Sequence, residues 1–114
     1  MKLTANWQFR KVYGEGEKLV SDYAVVFYYR NPEEHEGPRF GVVASSRVGS
    51  AVERNRAKRL LREAARSFAG KLNHADLWIV LVAKSNIVSR TSREVMDDVG
   101  RAMADAGLTA RRSS

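Results

Sequence analysis

The segment from Ser50 to Gly70 constrains this chain more than any other, because its charged and apolar residues separate onto different sides of a helix. Ser50-Ala-Val-Glu53 matches the S-x-x-E capping box, in which the serine side chain accepts from the Glu53 amide and the glutamate reaches back. A helix is predicted from there to about Ala69, with Gly70 as its stop. At 3.6 residues per turn, Ala57, Leu60, Leu61, Ala64, Ala65 and Phe68 gather on one side, the side that packs on a sheet. Arg54, Lys58, Arg59, Arg62 and Arg66 occupy an arc of roughly 140°, with Asn55 inside it and no acid interrupting it. Arg56 falls beyond one edge of the arc, near Glu63.

A solvated helix face normally interleaves both signs, since like charges at i,i+4 destabilise a helix by about 0.2 to 0.5 kcal/mol per pair. The run 54, 58, 62, 66 consists of like pairs. An anionic partner would relieve that repulsion, and arginine's planar fork of donors suits phosphate oxygens. The rest of the chain agrees: its net charge is +7, and nine basic residues lie between Arg39 and Lys71 against two acids, Glu53 and Glu63. Clustered charge points to nucleic acid, whereas scattered charge mainly aids solubility. A membrane-surface helix would carry bulky apolar residues for insertion, and this helix offers an alanine-rich side instead.

Other elements follow from periodicity and turn chemistry. Residues 5–13 read as a short helix with Phe9, Val12 and Tyr13 at helical spacing, Thr4 as N-cap and Gly14 as stop. Tyr23–Tyr29 and Phe40–Val43 read as strands, paired as a hairpin across the acidic loop Asn31–Pro38, which reads as a solvated turn. Leu77–Ala83 is a continuous apolar run, which predicts a central strand buried on both faces. Thr91-Ser-Arg-Glu94 is a second capping box, opening a helix that runs to Gly107. The expected fold is α+β: a two-layer sandwich of helices on a small mixed sheet, order αββαβα. A length of 114 residues suits one domain, 1–114, with 109–114 as a frayed tail.

The chain has no cysteine, which excludes disulfides, thiolate metal sites and cysteine nucleophiles. It shows no apolar run of signal-peptide or membrane-spanning length, so a cytoplasmic protein with no membrane partner is expected. Carboxylates sit in turns, caps or the last helix without converging, and Asp97 and Asp98 read as solvated. His35 and His74 read as surface histidines. No catalytic side chain and no protein metal site is therefore expected.

Arg39-Phe-Gly-Val-Val-Ala-Ser45, Arg47-Val-Gly49 and Ala51-Val-Glu-Arg-Asn-Arg-Ala-Lys-Arg-Leu-Leu-Arg-Glu-Ala64 together closely resemble the signature of the bacterial ribonuclease P protein family. The likeness extends from Phe9-Arg-Lys-Val-Tyr13 to Asp76–Ala83 and the closing helix, nearly the whole chain. The resemblance implies an unusual left-handed crossover between parallel strands. It also implies a protein that assists a catalytic RNA subunit in removing the 5′ leader of precursor tRNA by magnesium-dependent hydrolysis, the Mg2+ bound mainly by RNA. By the same resemblance, Arg54, Asn55, Arg56, Lys58, Arg59 and Arg62 match the family's RNA-contacting helix motif, and together with Arg66 on the same helix arc and Arg47 they are expected to bind the catalytic RNA. Phe9, Arg10, Tyr13, Phe27 and Ser45 are expected in a cleft for the leader, where rings can stack unpaired bases. A protein monomer in a 1:1 complex with RNA is expected. The alternative is a ribosomal or other structural RNA-binding protein without a processing role.

Overall fold

The computed structural model of the chain describes residues 2–34, 37–74 and 76–109. Its elements are helix α1 (Asn6–Glu15), strands β1 (Glu17–Val20), β2 (Ala24–Arg30) and β3 (Arg39–Val43), helix α2 (Ala51–Phe68), strand β4 (Leu77–Ala83) and helix α3 (Ser92–Asp105). The class is α+β as expected, and the order αβββαβα contains one strand more. β1 escapes a pattern reading because only Leu19 of its four residues is shielded, leaving no apolar alternation to detect.

The four strands run in the order β1-β2-β4-β3. This corrects the expected hairpin: β2 and β3 do not pair, because β4 lies between them, antiparallel to β2 and parallel to β3. The hairpin is β1 with β2, closed by Ser21, whose amide and hydroxyl both donate to the Ala24 carbonyl. β4 is central, and six of its seven residues are buried, as its apolar run predicts.

Side chains alternate across a strand, so β4 feeds two cores. Leu77, Ile79 and Leu81 meet Ala24 and Val26 of β2 and the apolar sides of α2 and α3. Trp78 and Val80 meet Leu3 and Val12 on the opposite face, where α1 forms a partial third layer. The buried residues of α2 are Ala57, Leu60, Leu61, Ala64, Ala65 and Phe68, the set drawn from the helical wheel.

Caps were predicted well where a side-chain oxygen makes them. Ser50 with Glu53 and Thr91 with Glu94 both form reciprocal capping boxes. Gly107, at φ +78°, ends α3, and the amides of Gly107 and Leu108 donate to the carbonyls of Ala104 and Met103. Thr4 is not the cap of α1: Ala5 is, and the Gln8 carboxamide accepts from the amides of Thr4 and Ala5. Gly14 lies inside α1, and Gly16 follows its end because a Cβ there would stand 2.4 Å from the Tyr28 carbonyl oxygen. Gly70 likewise does not stop α2, which ends at Phe68 and passes through a 3-10 turn, Ala69–Lys71.

Three solvated readings need correction. Asp98 is buried and accepts from the backbone amides of Asp22 and Tyr23, both at 2.9 Å, stapling α3 to the turn before β2; Asp97 is exposed. Glu34 folds back from the acidic loop, and its carboxylate accepts from Arg39 Nε and from Trp78 Nε1. Thr109 is buried and bridges Leu72, so it does not fray; the remainder of the expected tail, 110–114, lies outside the described residues, as does His35. His74 is half-buried.

Replacing Asp98 by Ala leaves two amides without their acceptor, and stability should fall by about 1 to 3 kcal/mol. Denaturant unfolding measures this; a midpoint equal to the parent's would show that Asp98 is no staple.

Candidate nucleic-acid interface

Two surfaces collect the residues singled out in the sequence. The first is the outward side of α2. Arg59, Arg62, Arg66 and Asn55 are exposed, while Arg54 and Lys58 are half-buried. The two half-buried cations sit at the edge of the arc nearest the apolar side.

Neither acid of α2 compensates these charges. Glu53 turns back to accept from the Ser50 amide at 3.0 Å. Glu63 faces α3 and accepts from the Ser92 hydroxyl at 2.6 Å. Among the described residues, Arg54, Lys58, Arg59, Arg62 and Arg66 make no ion pair within 4 Å of a carboxylate. Arg54 instead donates from Nη1 to the Gly49 carbonyl, 2.9 Å away.

Arg56 stands apart from this face, as its wheel position suggested. Its Nε donates to the Val88 carbonyl at 2.8 Å and its Nη2 to the Arg90 carbonyl at 2.9 Å. One planar guanidinium thus ties α2 to the segment leading into α3.

The second surface is the sheet face beneath α1. Phe9, Tyr13 and Phe27 form a chain of rings there: Tyr13 meets Phe27 edge-on at 4.8 Å, and Phe9 lies 6.5 Å from Tyr13. Phe9 sits over β3 because position 41 is glycine; a Cβ there would come within 2.6 Å of the ring. Phe9 and Phe27 are half-buried, part core and part wall, while Tyr13 is 42% exposed. Partial burial pushes the Tyr13 phenol above its ordinary pKa. Arg10 is exposed on α1.

Ser45 and Arg47 follow β3 and are both exposed. They line a cavity of about 480 Å3 together with Asp22, Val82, Lys84 and Asn86. Lys84 went unnoticed in the sequence. It stands beside Ser45 only because Val43 pairs in parallel with Val82, a register that no local pattern reveals. Trp7, 56% exposed and 5.6 Å from Trp78, is a further ring beside the cleft that helical spacing alone did not pick out.

Among the described residues no group of three or more Asp, Glu or His could hold a metal ion, and no helix is long and apolar enough to cross a membrane.

Fold and surface together define a small α+β domain of the RNA-binding class. The family model described as Ribonuclease P matches residues 1–107. The ribonuclease P protein component of Fusobacterium nucleatum is 34% identical over 110 residues, covering 93% of this chain and 96% of that protein. Its counterpart in Syntrophomonas wolfei is 32% identical over 114 residues, covering 99% and 92%. The fold is shared with the Staphylococcus aureus RNase P protein, at TM-score 0.82 and 22% identity over 96% of this chain and 97% of that one. It is shared too with the Thermotoga maritima protein, at TM-score 0.75 and 24% identity over 89% and 93%. This chain belongs to the ribonuclease P protein family, whose members are the protein component of a ribonucleoprotein endoribonuclease.

Arg56 and Arg62 should separate by stability. Arg56→Ala strands two carbonyls and is expected to cost about 1 to 3 kcal/mol, whereas Arg62→Ala on the open face should stay within about 0.5 kcal/mol of the parent. Thermal unfolding of both variants checks this, and equal effects would contradict the division.

Proposed function

We propose that α2 lays its cation face on the catalytic RNA while the ring-lined cleft beside α1 holds the single-stranded 5′ leader of precursor tRNA. What carries this reading is the uncompensated face of α2, a helix whose two acids are both turned elsewhere by hydrogen bonds. Counterion release on phosphate contact supplies affinity to such a face. Arg59, Arg62 and Arg66 are the phosphate ligands, with Asn55 among them and Arg47, Arg54 and Lys58 at the margins. Arg56 acts by keeping the helix in place. In the cleft Phe9, Tyr13 and Phe27 offer faces and edges to unpaired bases, and Arg10 and Ser45 stand where the leader's backbone would pass.

On this reading the side chains bind and orient, and the RNA performs the hydrolysis of the phosphodiester. The magnesium it uses is held by RNA phosphates and water, as suits an ion that keeps much of its hydration. We take the chain to act as one domain and as a monomer with one RNA in the cytoplasm.

Precursor tRNA should be cleaved at low magnesium efficiently only when protein and catalytic RNA are combined. Robust cleavage by protein alone would overturn the division of labour. Precursor should also bind the complex more tightly than mature tRNA. Equal affinity would remove the leader from the cleft and favour a purely structural RNA-binding role.

Removing Arg59, Arg62 and Arg66 together should reduce the slope of log affinity against log salt by roughly 0.7 to 0.9 per lost phosphate contact. An unaltered slope in a salt titration would show that these guanidinium groups touch no phosphate.

A further inference from the structure

The cations of α2 and the rings beside α1 occupy opposite faces of the sheet, and they meet at its outer strand, β3. Along that edge runs a groove of about 410 Å3, within the roughly 300 to 1,000 Å3 typical of ligand sites. Leu3, Phe9, Phe40 and Val42 contribute apolar surface to it. Arg62, Arg66 and Lys2 also line it, and no acid is among its described lining residues. Arg62 and Arg66 stand one helical turn apart and are exposed. Phe9 belongs to both places, lining the groove while standing 6.5 Å from Tyr13 of the cleft.

One aromatic ring, Phe40, on the same side of the sheet as two guanidinium forks matches a flat ring carrying a phosphate. A basic peptide would be repelled by the three cations, and a purely apolar ligand would leave them unused. We infer that the groove receives one unpaired nucleotide of a bound RNA, its base against Phe40 and its phosphates on Arg62 and Arg66, with Phe9 at the far rim on the other side of β3. The inference rests on the RNA-binding reading of α2 and extends it around the β3 edge, making one continuous track from the helix face to the cleft. The nucleotide can come from the catalytic RNA or from the leader, since both present the same chemistry.

Photocrosslinking of the assembled complex tests this. Each of the four nucleotides is introduced in photoreactive form, first into the leader and then into the catalytic RNA, and the marked residues are mapped by mass spectrometry. Phe40 is the diagnostic residue, because it lies on the sheet face opposite Tyr13 and Phe27. A mark on Phe40 supports the groove, and the strand that carries it names the source. A complex that cleaves precursor tRNA but never marks Phe40 overturns it. Cleavage in the same sample reports separately on the proposed function, so the two failures are distinguishable. Ala69→Leu narrows the groove without touching a cation and should weaken RNA binding about fivefold or more, the loss expected from one stacked base. Unchanged affinity together with a retained Phe40 mark in that variant would also overturn the assignment.

Discussion

The architecture depends on β4 being buried on both faces. Its alternating side chains need apolar cover above and below, and its backbone needs a strand on either side. β2 and β3 supply the neighbours; α2 with α3 covers one face, and α1 covers part of the other. Because α2 connects two parallel adjacent strands, it must cross the sheet and press its apolar side against it, which turns the opposite side outward. The partial cover given by α1 leaves the cleft.

Magnitudes explain why α2 tolerates its own charge. Like-charge spacing along the arc costs about 0.2 to 0.5 kcal/mol per pair, while burying each large apolar side chain such as Leu60, Leu61 or Phe68 gains about 1.5 to 3 kcal/mol. The helix therefore stays formed with its cations uncompensated. The capping box and the Arg56 clamp fix where it starts and how it meets α3, so the free guanidinium groups are presented on a rigid element. Preorganised cations lose less side-chain freedom on meeting phosphate than cations on a loop would.

Membership of the ribonuclease P protein family rests on a match spanning residues 1–107 and on relatives covered along nearly their whole length. The relatives differ from it at about two positions in three. Arg56 adds a caution for reading such motifs: within one short basic run, adjacent cations serve different ends, one closing a structural contact and others facing solvent.

The amino-acid order alone determined whatever depends on neighbours within a few residues. The wheel of α2, its buried set, both side-chain capping boxes, the Gly107 stop and the apolar strand β4 were legible because helical period, hydroxyl caps and apolar runs are local signals. Tertiary structure decided what depends on chain crossings: that β4 separates β2 from β3, that β1 joins the edge, that Asp98 and Glu34 are buried, and that Lys84 stands beside Ser45. Those outcomes follow from which surfaces meet across many residues of chain, and a carboxylate reads as solvated until the amide that claims it is brought from the far end of the sequence.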